Sequence, residues 1–486
     1  MPRAAAERIR DPHDNDVTSP GEEAARVNPG DSAPRRSWRS RTRRLRDILG
    51  IDRAIFYTII ARGWSALAGP ISLFFVARFL GPEEQGFYYT FSSVLALQVF
   101  FELGLAYVIM QSVSHEKAHL EWTSEGLLGG DPVAKARLAS LLRLSLKWYL
   151  VVASGVTIVL VPAGFWFFAQ NASAAHVDWQ IPWLLVAGLT ALNLIVTPFI
   201  GVWEGCGRVS EITGVQVRQA VFGSLTVWAA FGLGFKLYAA PLISLVSITV
   251  ALSWLLRRPR GFFLDLLTCR IAPGGGVSWR SEVLPFQWKI ALSWLSSYFI
   301  FHLANPVLFR YHGAVEAGRM GMTMRIIDSI IALSVAWIST KSAPFGSYIA
   351  KREFEKLDAV FWKAFRQSVG VAVCGGATFL LLYYLLAAMG ATFLDRLLDP
   401  VSIALLAGNA VTSCVILNQA VYLRAHKQEP FLWLSILAAV QITAIMFLLG
   451  RPYGGRGIAL GLFCGGICIT LPLATLVFYK KRREWH

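Results

Sequence analysis

The sequence predicts an all-α integral membrane protein: twelve transmembrane helices in two six-helix lobes related by a pseudo-two-fold axis along the membrane normal. Three observations lead there: an apolar composition, twelve hydrophobic stretches of spanning length, and one motif that recurs half a domain apart. Of 486 residues, 55% are hydrophobic and 16% charged, against about 25% charged in an ordinary soluble domain. That balance, with a mean hydropathy of +0.51, excludes a single soluble globule and leaves no room for a large soluble catalytic domain.

Residues 1–53 mix acids with Arg, Pro, Gly and Ser and show no apolar periodicity, so they read as a disordered tail that cannot bury enough surface to offset ordering. Arg35, Arg36, Arg39, Arg41, Arg43, Arg44 and Arg46 follow one another with no acid among them, directly before the first hydrophobic span. Such a cluster suits anionic headgroups of the cytoplasmic leaflet and acts as a topogenic signal. Nucleic-acid binding is the weaker reading, and a signal peptide is excluded by the length of the apolar stretch that follows.

Stretches of about 20 apolar residues lie near 54–79, 86–111, 143–169, 180–203, 210–235 and 237–256. A second set lies near 286–309, 316–340, 361–389, 401–423, 429–450 and 455–479. The chain thus divides into a basic tail (1–53), an N-terminal lobe (54–257), a cytoplasmic linker (258–285), a C-terminal lobe (286–479) and a basic end (480–486). Helices are the spanning form, because every backbone group must be satisfied within the segment.

The linkers on one side, with the C-terminus, hold 24 Lys and Arg residues against 7 on the other; the tail adds 12. By the positive-inside rule both termini of this multi-pass membrane protein are cytoplasmic. The pI of 9.8 then reflects topology and calls for no nucleic-acid partner. Cys206 and Cys269 fall on the cytoplasmic side, whereas Cys374, Cys414, Cys464 and Cys468 fall inside spans. No disulfide framework is implied, and Cys464 and Cys468 read as small packing residues.

At the end of the first span the chain reads Arg78-x-x-Gly81-x-x-Glu84-x-Gly86. At the end of the seventh it reads Arg310-x-x-Gly313-x-x-Glu316-x-Gly318. Each copy joins the first and second spans of its set, which points to duplication; an even number of spans per repeat makes the repeats parallel. A tight turn alone would use the same residues, with Gly ending one helix and Glu near the positive N-terminus of the next.

The run Ala77-Arg78-Phe79-Leu80-Gly81-Pro82-Glu83-Glu84-Gln85-Gly86-Phe87-Tyr88, with Phe101-Glu102-Leu103-Gly104-Leu105, resembles the opening of the polysaccharide flippases of the multidrug/oligosaccharidyl-lipid/polysaccharide exporter (MOP) superfamily. The resemblance extends in organisation over about residues 50–480. It implies two six-helix lobes in a V around a lumen open to one side at a time. It also implies export of polyprenyl-diphosphate-linked oligosaccharide for polysaccharide or lipopolysaccharide biosynthesis.

Ionisable residues inside spans cost roughly 2.5–3.5 kcal/mol each on insertion scales, so they face a partner or a wet cavity. Arg62 and Glu102 sit at similar depth on sequential helices, as a structural ion pair or with Arg62 as a lumen anion site whose guanidinium holds phosphate bidentately. Arg218 either reaches the lumen or snorkels to the surface. Arg325 and Asp328, three apart on the eighth span, either neutralise each other or serve as lumen cation and coupling acid. His302 and Asn305 form a polar stripe suited to sugar hydroxyls or to helix packing.

No G-x-S-x-G elbow, P-loop, H-E-x-x-H or C-x-x-C is present, so no enzyme, cofactor or metal is expected. Asn171-Ala172-Ser173 matches a glycosylation pattern that reads as chance. The leading expectation is a flippase for lipid-linked oligosaccharide, with membrane lipids and other polysaccharide-assembly proteins as partners. The alternatives are an ion-coupled multidrug exporter using Glu102 or Asp328, a sugar-transporter-like carrier whose G-x-x-x-D-R/K-x-G-R/K motif is missing from 112–142, and a non-transporting envelope-assembly scaffold.

Overall fold

Twelve helical spans, among the described residues, follow one another in the order the hydrophobic pattern predicts. A computed structural model describes residues 53–171, 176–257, 259–271, 276–426 and 428–485. The basic tail before Arg53, with its arginine cluster, lies outside them.

The first lobe comprises α1 (Arg53–Phe79), α2 (Pro82–Glu102), α3 (Leu105–Lys117), α4 (Pro132–Ala169), α5 (Gln180–Gly205), α6 (Val209–Gly232) and α7 (Lys236–Arg257). A short helix α8 (Arg260–Thr268) lies in the linker. The second lobe comprises α9 (Leu284–Phe301), α10 (Ala304–His312), α11 (Ala314–Ser339), α12 (Ser342–Ala350), α13 (Phe354–Ala388) and α14 (Pro400–Ala425). It ends with α15 (Leu432–Ile445), α16 (Arg451–Gly465) and α17 (Leu471–Trp485).

Seven helices are long and apolar enough to cross a membrane, and the bent pair α2–α3 makes an eighth. One of the seven, Leu432–Trp485, doubles back at Gly454 (φ 62°, ψ −144°) and supplies two spans. The turn is held by small residues. A Cβ on Gly457, Gly461 or Gly465 would meet Leu449, Ile445 or Gln441 within 2.1–2.3 Å, so the last two spans pack with almost no side chain between them. The remaining spans are α1, α6 and the pair α9–α10, the last broken at His302–Leu303.

Packing repeats between the lobes. In the first, span 1 packs on 5, span 2 on 3 and 4, span 3 on 4, span 4 on 6 and span 5 on 6. In the second, 7 packs on 11, 8 on 9 and 10, 9 on 10, 10 on 12 and 11 on 12. Between lobes, 2 packs on 8, with 1 on 8 and 7 on 2 as the matching flanking pairs. Duplication with a two-fold between spans 2 and 8 accounts for this whole pattern.

Two spans expected to be continuous are broken. Leu103 (φ 53°) and Gly104 (φ 68°) both adopt left-handed backbone, and α2 meets α3 at 44°. A Cβ on Gly104 would lie 2.6 Å from Ile290 Cγ2, so the break receives α9 of the opposite lobe. The seventh span is interrupted at His302–Leu303, between α9 and α10.

The face that carries the 259–283 linker and the C-terminus is here the basic face; the opposite face carries the two repeated turns and is the motif face. At the basic face the connection after α3 forms a small antiparallel pair, β1 (Leu120–Trp122) and β2 (Leu128–Gly130), the one sheet among the described residues. Trp122 packs edge-on to Trp203, with the Arg208 guanidinium 4.5 Å from its ring.

One apolar core runs from the first lobe through Val307, Leu308 and Phe309 into the motif-face half of the second lobe. A separate core around Phe345, Phe361, Tyr422 and Phe478 fills the basic-face half of the second lobe and contains no first-lobe residue. The lobes therefore converge at the motif face, and their cores part toward the basic face.

Candidate functional site

The repeated motif builds the closed end of this V. Glu84 Oε2 accepts the Gly81 N–H at 2.7 Å, capping α2, while its other oxygen meets Lys236 Nζ at 2.9 Å. In the second copy Glu316 Oε1 accepts the Gly455 N–H at 3.2 Å. Lys236 and Gly455 belong to the turns between the fifth and sixth spans of their lobes, so each motif glutamate ties the first turn of its lobe to the last. Arg78 and Arg310 are exposed beside the ring that follows each, Phe79 at 5.9 Å and Tyr311 at 6.0 Å. The glycines differ: Gly313 has φ 90°, which only glycine adopts without strain, whereas Gly81 has φ −64°.

The last glycine of each copy does what a tight turn does not need. A Cβ on Gly86 would lie 1.9 Å from Ala314 O, and one on Gly318 would lie 2.9 Å from Gly86 N. The two glycines are the backbone crossing of α2 and α11, one of the points where the lobes touch. Gln85 Nε2 donates to Gly318 O at 2.9 Å and to Arg396 O at 3.2 Å. Desolvation there lowers the Arg396 pKa from its usual value, opposed by Glu84 and Asp395. Phe87 stands edge-on to Phe309 at 4.9 Å, and Asn171 Nδ2 donates to Phe309 O at 2.9 Å. Asn171, the first residue of the glycosylation-like triplet, is thus a tie across the lobes.

Just inside this closure lies the candidate site. Tyr89 packs on α11 where a Cβ at Gly321 would meet its ring at 2.6 Å. One turn further toward the basic face, Arg325 is exposed. Its charge acts on Tyr88 and Tyr89 of α2, on His302 at the α9–α10 break and on Asp328 of α11. His302 also stacks on Tyr298 at 6.0 Å. Arg325 and Asp328 are both exposed and make no ion-pair contact among the described residues, Arg325 staying close enough for its charge to act on Asp328. Asn305, half-buried, lies in the first turn of α10, three residues after His302.

The other expected residues lie elsewhere. Glu102, buried at the α2 break, accepts the Tyr149 hydroxyl of α4 at 2.7 Å and so belongs to the packing of the first lobe. Arg218 folds back along α6 and donates to Gly214 O at 2.9 Å, toward the basic face. Arg62 lies on α1, but its side chain lies outside the described residues, and with it the Arg62–Glu102 pairing. Tyr89 and Arg396 carry no signal in the sequence, whereas Gln85 and Tyr88 stand within the motif run without a role assigned to them.

The wider polar inventory is structural. Ser368 donates to Ser334 O at 2.7 Å and contacts Asn418, satisfying polar groups among α11, α13 and α14. All six cysteines are free, and no cluster of three His, Cys, Asp or Glu residues suited to a metal exists among the described residues.

No protein-family model and no curated protein sequence matches the chain. Solved structures match its fold. One is an inward-facing multidrug resistance MATE family transporter of the MOP superfamily, with TM-score 0.57 and 16% identity over 89% of this chain and 99% of that chain. Another is the lipid II flippase MurJ in an inward closed conformation, with TM-score 0.59 and 12% identity over 87% of each chain. A third is the MATE multidrug transporter DinF-BH, with TM-score 0.53 and 14% identity over 88% of this chain and 95% of that chain. The chain is a multi-pass membrane protein with the fold of these MOP-superfamily transporters.

Proposed function

We propose that the protein is a flippase that moves a polyprenyl-diphosphate-linked oligosaccharide across the bacterial inner membrane by alternating access, in polysaccharide or lipopolysaccharide biosynthesis. In this reading the basic face is cytoplasmic, by the Lys and Arg count, and the V is open to the cytoplasm. Arg325 carries the proposal. An exposed guanidinium without an ion pair, two turns inside the closed end of a membrane V, is costly unless something anionic arrives there. A diphosphate matches its planar fork of donors. Tyr88, His302 and Asn305, each half-buried, would meet the sugar nearest the diphosphate, and the polyprenyl chain would stay in lipid between the lobes. The interrupted helices α2–α3 and α9–α10 support the reading, because discontinuous spans flank substrate sites in secondary transporters.

The test is leaflet-to-leaflet movement of a fluorescent polyprenyl-diphosphate oligosaccharide in proteoliposomes. Wild-type protein is expected to flip it, Arg325→Ala to lose about 100-fold or more in rate, and Arg325→Lys to recover part of the loss by charge alone. Arg62→Ala, run in parallel, tests the second cation named from the sequence. Wild-type rates in Arg325→Ala would remove Arg325 from the path. Failure of the folded wild type on several sugar heads would favour the ion-coupled multidrug exporter, for which Asp328 beside Arg325 is the coupling candidate.

A further inference from the structure

We propose that the seam between α11 and α13 is a binding site for an anionic glycerophospholipid of the leaflet at the basic face, separate from the Arg325 site. Two cavities of about 580 and 530 Å³ adjoin along this seam and share Trp337 and Gln367. The first is lined at its basic-face end by Lys341 and Lys363. The second runs deeper between Ile330 and Leu333 on α11 and Gly370, Val371 and Cys374 on α13.

The groove has a shape and a length. A Cβ on Gly375 would lie 2.8 Å from Ile330 Cγ2, so the two helices touch there, beside a lining that continues to Thr378. Gly370 lies beside the slot with nothing within 4 Å of a Cβ. From Lys341 to Ile330 is about 16 Å at the helical rise, close to half of a hydrocarbon core about 30 Å thick. Along α11 the slot is therefore about one leaflet deep, while its α13 side runs on from Val360 to Thr378.

Charge selects the head. Lys341 and Lys363 are both exposed, and the nearby acids Glu353 and Asp358 hold Lys356 and Arg482 instead. Two cations at headgroup level above an apolar slot match a phosphodiester with net negative charge, each cation contributing about fivefold in affinity. Leu333 and Trp337, 54% and 39% exposed, would be covered by the chain. This inference stands independently of what the protein transports.

Trp337 provides the readout. Full-length protein is reconstituted with phosphatidylglycerol or phosphatidylcholine carrying brominated acyl chains, and the quenching lost in Trp337→Phe isolates the groove signal. Phosphatidylglycerol is expected to quench Trp337 at several-fold lower mole fraction than phosphatidylcholine. The preference should fall about fivefold in Lys341→Gln and again in the double variant with Lys363→Gln. Gly370→Leu should reduce quenching by both lipids while far-UV circular dichroism stays unchanged. Equal quenching by the two lipids, a preference that survives loss of both lysines, or quenching by brominated polyprenyl phosphate in place of phosphatidylglycerol would each overturn the proposal.

Discussion

Gly86 and Gly318, 232 residues apart and equivalent in the repeat, meet across the pseudo-two-fold so closely that a Cβ on Gly318 would lie 2.9 Å from Gly86 N. The crossing of α2 and α11 is thus the one place where the motif serves both lobes at once. It follows that a small change there acts on the relation between lobes and not on one lobe alone.

Gly86→Ala should be disproportionately harmful. Its Cβ would overlap Ala314 O at 1.9 Å, and backbone cannot yield as a flexible side chain does. A loss of about 1–3 kcal/mol is expected, the range for overpacking. Gly188→Ala in α5, with nothing within 4 Å of its Cβ, should be neutral or stabilising by about 0.5–1 kcal/mol. Thermal unfolding of both variants in the same detergent compares them directly; equal melting temperatures would contradict the crossing.

Glu102 and Tyr149 make a sharper test of the α2 break. Tyr149→Phe removes the hydroxyl that Glu102 Oε1 accepts at 2.7 Å and leaves a buried carboxyl oxygen short of a donor, costing about 1–3 kcal/mol. A double-mutant cycle with Glu102→Gln should show coupling of at least about 0.5 kcal/mol. Additive losses would mean the two groups do not depend on each other.

Glu84 has two partners, and they should separate. Lys236→Ala breaks an ion pair whose lysine is 63% exposed, so the loss should be small, at most about 1 kcal/mol, and screened by salt. Glu84→Ala also removes the acceptor for the Gly81 N–H, a capping interaction worth about 1 kcal/mol that salt does not erase. Stability measured at low and high ionic strength distinguishes them.

Acid should loosen the linker from the first lobe. Glu282 accepts the Ser278 N–H and pairs with Arg137 of α4, and both hold its carboxyl below the usual range. A lowered folded pKa means the stabilisation is fully present above the unfolded value and is lost as pH falls through the folded one. Because Glu282 is largely exposed the effect should be local. Emission from the stacked Trp148–Trp279 pair, 5.3 Å apart, should stay constant from pH 8 to about 5 and change only below about 4. Glu282→Gln should abolish that transition; a change near neutral pH would point to another group.

Much of the architecture is written in one dimension. Twelve spans, their order and the duplication can be read because apolar length and a recurring motif are properties of consecutive residues. The breaks in the second and seventh spans cannot: Leu103–Gly104 and His302–Leu303 lie in largely apolar sequence, and what fits into the first break is Ile290 of another helix. The same holds for the charges. Arg325 and Asp328, at three residues' spacing, suggest self-pairing, and Glu102 suggests a partner for a cation. Arg325 and Asp328 are instead exposed without an ion-pair contact among the described residues, and the packing of α2 on α4 gives Glu102 to Tyr149. Sequence by itself determined how many helices cross and where the polar residues lie along them, because burial in lipid depends on local composition. Tertiary structure alone decided which face each residue presents, because that is fixed by contacts between helices far apart in the chain.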